Sequence, residues 1–134
     1  MNVNVIQNQN DNAPSPPDYE NILVSDLGQL SPNICTDIML NNNTINYLTT
    51  QQLTELLSKM RHGGTVSISS LDAVEITKAF YFDKINISQF SSLISNQQSQ
   101  HSLIELKTFF EQNQYKIENA HINDLSFYLK VRRP

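Results

Sequence analysis

Residues 58–69 read SKMRHGGTVSIS, and two of the chain's three glycines stand side by side within them. Upstream, Leu53, Leu56, Leu57 and Met60 recur at helical spacing, and Thr49 or Thr50 supplies an N-cap. Downstream, Val66 and Ile68 alternate with Ser67 and Ser69, the period of a strand. Helices commonly stop at a residue in the left-handed conformation, which glycine adopts without a Cβ penalty. The pair therefore predicts that Gly63 or Gly64 ends the helix and turns the chain into a strand. Helix, glycine turn and strand in that order build a parallel sheet.

On the N-terminal side, residues 1–6 alternate as a short strand would, with Val3 and Val5 apolar. Residues 7–18, QNQNDNAPSPPD, carry three prolines and read as an extended loop. Two more short strands are expected in residues 19–27, around ILV, and in residues 36–40, TDIML. On the C-terminal side, residues 71–82 form a helix with Asp72 near its start. A shorter helix over residues 87–94 is introduced by Ser88, and the linker SNQQSQ follows. A last helix over residues 102–113 lines up Leu103, Leu106, Phe109 and Phe110. Residues 115–121 and 125–131 alternate around the turn pair Asn123-Asp124, an antiparallel hairpin.

At 134 residues the chain is one domain by length. A net charge of −4 argues against a general nucleic-acid surface, which needs a basic stripe. Lys130, Arg132 and Arg133 are read as a solubilising end. Cys35 is the only cysteine, which excludes an intramolecular disulfide and a cysteine zinc site and leaves a small core residue. No apolar run approaches the roughly 20 residues of a membrane span. The N-terminus lacks a signal-peptide pattern, so a soluble, reducing, cytoplasmic setting is expected. His62, His101 and His121 fall at a turn, a helix start and a hairpin, and are read as separate residues with no metal among them. Asp72 and Glu75 suit a helix N-terminus more than paired acid-base work. Phe80, Tyr81 and Phe82 are read as core and rim.

The order of these parts resembles the C-terminal half of class I S-adenosylmethionine-dependent methyltransferases, over residues 19–134. In that family a strand usually begins with Asp, here Asp37 in TDIML, and the next segment commonly ends in a Gly-Gly turn, here Met60-Arg61-His62-Gly63-Gly64. A terminal hairpin closes the family's sheet, matched here by YKIENAHINDLSFYLKVRRP. His62 stands where the family usually has proline. The implied fold is a truncated, Rossmann-like α/β domain over 19–134, mostly parallel with a C-terminal antiparallel hairpin, preceded by an arm over 1–18.

The family holds its cofactor through a Gly-rich loop after the first strand, because only glycine lets the backbone approach the ligand closely. Here nothing upstream of Gly28 is glycine: if NVNVI is the first strand, QNQNDN stands in that loop position, and if it is not, the loop is absent. Through the resemblance, Asp26, Asp37 and Asn41 are the remaining candidates for cofactor contact. The expected protein is a degenerate methyltransferase with no bound cofactor and no catalytic residues. It would act as a structural or partner-binding subunit, homo-oligomeric or paired with another protein through edges and an apolar face that truncation leaves open. Asn-rich composition and small size suit a phage gene and a virion component. The alternative is a minimal active S-adenosylmethionine-dependent enzyme acting on a small molecule or glycan intermediate.

Overall fold

A computed structural model of the chain describes residues 1–7, 16–95, 97 and 99–134. The loop expected over 7–18 lies, apart from its ends, outside the described residues, as do positions 96 and 98 of the linker. Six strands form one sheet: β1 (Asn2–Ile6), β2 (Glu20–Leu23), β3 (Cys35–Leu40), β4 (Met60–Leu71), β5 (Lys116–Asn123) and β6 (Ser126–Arg132), in the order β2-β1-β3-β4-β6-β5. The first four are parallel neighbours, and β6 runs antiparallel to both β4 and β5. Strand β1 pairs on both sides, so Asn2–Ile6 belongs inside the sheet and not to an arm separate from it.

Helix α1 (Thr50–Ser58) begins at a capping box in which Thr49 and Gln52 satisfy each other's backbone N–H. Its expected end was wrong. The helix stops at Ser58 with no glycine, because Lys59 already belongs to the sheet: its carbonyl accepts from Cys35 N at 2.8 Å, and Met60 pairs with Cys35. The glycines lie inside β4. Between the pairs Cys35–Met60 and Asp37–Thr65, four residues of β4 stand opposite one of β3, a large bulge. Gly63 takes φ +78° there. Gly64 keeps ordinary angles but lies so close to β3 that an added Cβ would sit 2.9 Å from Thr36 O and 2.8 Å from Met60 Cγ. The C-terminal arginines fasten this bulge. Arg132 Nη1 donates to Gly63 O at 2.6 Å, Arg133 N donates to Gly64 O at 2.8 Å, and the Arg133 side chain holds Met60 O and Asn33. They are structural clamps rather than a loose solubilising end.

Helices α2 (Ala73–Tyr81), α3 (Ile87–Ile94) and α4 (Leu103–Gln112) follow β4. The cap of α3 is Asn86, not Ser88: Asn86 and Gln89 exchange side-chain and backbone bonds at 2.8 and 2.9 Å. The hairpin turn falls one residue later than expected, since Asn123 still pairs with Ser126 and Asp124 takes φ 56°.

Cross-strand partners share a face of a sheet. One face carries the rows Val3, Ile38, Val66, Val131 and Leu40, Ile68, Leu129, Ala120, all in or against a core with Leu56, Leu57, Leu103, Leu106 and Phe110. Helices α1 and α4 cover it. The other face carries Asn4, Asn21, Asp37, Thr65, Ser67, Tyr128, His121 and Lys130. Parallel sheets covered by helices on both faces read as continuous apolar runs. This one alternates, and the apolar face expected to be left open by truncation is polar instead.

Gly64→Ala should lower stability by about 1–3 kcal/mol, since its Cβ would meet main-chain oxygen that cannot move aside. Gly63→Ala meets nothing within 4 Å and carries only the left-handed penalty, about 1 kcal/mol. Urea unfolding of the two variants checks the order of the two losses.

Candidate functional site

In open α/β sheets, ligands bind beyond the carboxyl ends of the parallel strands. Here those ends are Ile6, Leu23, Leu40 and Leu71. Asp26 follows the end of β2 in a 3-10 turn, Val24–Gln29, partly exposed, and accepts from Gln29 Nε2 at 3.5 Å. Asn41 directly follows β3, and its carbonyl accepts from Thr44 N at 3.1 Å. The structure therefore puts both at the ligand-facing end. Asp37 lies elsewhere. It sits level with Asn2, at the amino end of the sheet, three residues and about 10 Å from the end of its strand.

The Asp37 carboxylate is already engaged on the polar face. Oδ1 accepts from Thr65 Oγ1 at 2.8 Å, and Oδ2 accepts from the Tyr19 hydroxyl. Burial first, then this bond and the negative charge of Asp37, push the Tyr19 phenol up to about 12. The role is to tie the return from β1 to β2 onto β3 and β4.

Past β3 the chain turns through Asn42 and Asn43, at φ 54° and 62°. Asparagine tolerates that region better than most side chains. Asn43 then works as an extension of the strand: its N–H donates to Ser69 O at 3.3 Å and its Oδ1 accepts from Leu71 N at 2.8 Å. Asn46 is fully buried behind it. Its Nδ2 donates to Ser70 Oγ at 3.0 Å, while Oδ1 has no partner among the described residues.

At the end of β4 stands Asp72, 2 % exposed. Oδ1 accepts from Val74 N and Glu75 N at 2.9 and 3.0 Å, capping α2, and Oδ2 accepts from Leu103 N at 2.8 Å, at the start of α4. One carboxylate thus serves two helix N-termini. The expected helix-dipole role holds for α2; the second helix was not foreseen. Glu75 points away to Lys78 at 3.4 Å. Phe80, Tyr81 and Phe82 are not core: they are 37, 77 and 65 % exposed, with Phe80 stacked on Phe90 at 4.7 Å.

Reading the histidines as isolated missed one signal. Glu105 follows His101 by four residues, and the two meet at 2.9 Å through Nδ1, while Ser99 Oγ lies 2.9 Å from Nε2. Ser99 and His101 line a cleft of about 280 Å³ together with Ile45, Leu48, Thr49, Thr50 and Leu53. Among the described residues no three His, Cys, Asp or Glu side chains gather as metal ligands, and no helix is long and apolar enough to cross a membrane.

The fold has close counterparts. An S-adenosylmethionine-dependent methyltransferase from Archaeoglobus fulgidus matches at TM-score 0.59 and 15 % identity, over 98 % of this chain and 75 % of its own. The 1,6-didemethyltoxoflavin-N1-methyltransferase of Burkholderia thailandensis, solved with its substrate and S-adenosylhomocysteine, matches at 0.55 and 12 %, over 86 % of this chain and 51 % of its own. A possible histamine N-methyltransferase from Thermotoga maritima matches at 0.53 and 12 %, over 87 % and 64 %. No family model matches the chain, and no curated protein matches it. The chain has the fold of S-adenosylmethionine-dependent methyltransferases and spans 75, 51 and 64 % of the length of these three.

Gly28, the first glycine after β1, turns its Cβ position toward Glu55 Oε1 at 3.4 Å, against α1. Asp26 and Asn41 stand just beyond the ends of β2 and β3.

Asp72→Ala strands three main-chain N–H groups, that of Leu103 buried, and should cost about 3 kcal/mol. Asp72→Asn keeps the α2 cap but turns an NH2 toward Leu103 N–H, costing about 2 kcal/mol. Hydrogen exchange should show the loss in Asp72→Asn at the start of α4 and not at the start of α2.

Proposed function

We propose that this protein keeps the methyltransferase fold as a scaffold, does not hold S-adenosylmethionine, transfers no methyl group and acts by binding another protein chain. The observation that carries this is the glycine-free stretch. From the exit of β1 at Ile6 to residue 27 no glycine occurs, and three prolines stand at positions 14, 16 and 17. Those residues occupy the place where the fold's dinucleotide and nucleoside sites use bare main chain.

Association is supported by α2 and α3. Helix α3 buries none of its residues, although Ile87, Phe90, Leu93 and Ile94 are apolar, and Tyr81, Phe82 and Ile87 are each more than half exposed. Covering such side chains is favourable by roughly 25 cal/mol per Å² of apolar surface. A second copy of the chain is the simplest occupant.

A second reading rests on Asp26 and Asn41, which do stand at the carboxyl ends of β2 and β3. It would be a small enzyme using S-adenosylmethionine on a small molecule or glycan intermediate.

Isothermal titration with S-adenosylmethionine and S-adenosylhomocysteine separates the two. No binding is expected up to about 100 μM; affinity tighter than that, about −5.5 kcal/mol, favours the enzyme. Mass photometry of the full chain at micromolar concentration should show dimers or larger species, and a purely monomeric sample would count against self-association.

A further inference from the structure

We infer that Ser99, His101 and Glu105 form a nucleophilic serine site, acting on a small acyl ester bound in the adjoining cleft. The proposal is independent of whether S-adenosylmethionine binds.

The geometry has the polarity that serine nucleophiles require. The acid reaches Nδ1 and the hydroxyl reaches Nε2, both at 2.9 Å, so the two contacts use opposite nitrogens of one ring. A carboxylate at Nδ1 fixes the tautomer with its proton there and leaves Nε2 free to accept from Oγ. The ring is held in place, since the His101 side chain is only 15 % exposed and its carbonyl accepts from Ala73 N at 2.9 Å. Ser99 is anchored as firmly: its N–H donates to Asn46 O at 3.0 Å.

Both reactive groups open onto the cleft, whose other walls divide by chemistry. Ile45, Leu48 and Leu53 form an apolar side suited to a short acyl chain. Thr49 and Thr50 form the start of α1, where the capping box occupies the Thr49 and Gln52 N–H groups, and the Thr50 and Gln51 amides, which have no acceptor inside the helix, carry the positive end of its dipole. An oxyanion developing in the cleft faces that end.

The step balances without any further reagent but water. Ser99 Oγ bonds to the ester carbonyl carbon as its proton passes to His101 Nε2. The tetrahedral adduct collapses, the bond to the alcohol oxygen breaks, and His101 returns the proton to the departing alcohol. Water then repeats the sequence on the acyl-serine, releasing a carboxylic acid. Glu105 touches no reacting atom and is a positioning residue.

The full chain, treated with a fluorophosphonate probe, should carry the label on Ser99 in the peptide mass spectrum. Ser99→Ala should abolish labelling. His101→Gln should slow labelling, and hydrolysis of p-nitrophenyl acetate, by about 100-fold or more. Glu105 is 57 % exposed, so Glu105→Gln should leave the melting temperature unchanged while slowing both reactions, and Glu105→Asp should restore part of the rate. Ser95→Ala should change nothing. Labelling no faster than in heat-unfolded protein, labelling that survives Ser99→Ala, or a Glu105→Gln variant with undiminished rates would each overturn the assignment.

Discussion

Three main-chain N–H groups converge on one buried carboxylate, Asp72, and much of the C-terminal half depends on it. A helix start leaves its first amides without partners, and a buried start cannot use water instead. Two helices begin at the end of β4, and Asp72 answers both. Its own N–H donates to Leu125 O at 2.8 Å, which joins the hairpin turn to the same point. The starts of α2 and α4 are therefore tied together at the end of β4 by a single side chain. Because Leu103 N is one of the three donors, Asp72 also sets where residues 99–101 cross the mouth of the cleft.

The second constraint is the difference between the two faces of the sheet: α1 and α4 pack on an apolar one, and the other is polar. A doubly wound sheet ordinarily demands apolar residues on both faces. Here the second face carries Asn, Ser, Thr, Asp, Tyr and Lys, and several of these bond one another. Asn4 Nδ2 reaches Asn21 Oδ1 at 2.9 Å, and Thr65 and Tyr19 both reach Asp37. Alternation keeps most apolar side chains off that face.

Much of this was written in the sequence, though not always where it was sought. Alternation in NVNVI, TVSIS and FYLKV is the mark of a one-sided sheet, and it was visible before the topology was known. The helical stripes, the Thr49 cap and the hairpin were legible because they rest on local periodicity and side chains close in sequence. The glycine pair misled because two roles share one residue type. A helix end and a bulge both call on glycine, and the choice was made by β3, whose Thr36 carbonyl lies against Gly64. Asp37 misled for a related reason. A residue at the start of a strand faces the end of the sheet away from the ligand crevice, and only the register with Asn2 reveals it. Glu105 was within reach of the sequence, four residues from His101; Ser99 was not, since its approach to Nε2 depends on its N–H being held by Asn46 O.

These placements suggest how the carboxyl end of the sheet divides. In a nucleoside-binding α/β protein the phosphate or ribose contacts come from the loops after the first two strands. In this chain the segment after β2 supplies Asp26, while the loops after β3 and β4 are dense with organised polar groups. Asn43 prolongs β3 alongside β4, Asn46 is buried with one oxygen unmatched among the described residues, and Asp72 and His101 follow within the next elements. Buried polar groups are costly unless they are paired, so such a concentration must be held by hydrogen bonds made elsewhere in the fold. Here Asp72 and the Asn43 bridge supply them. The organised polar groups at this end of the sheet thus lie on its β3–β4 side, beside those supports.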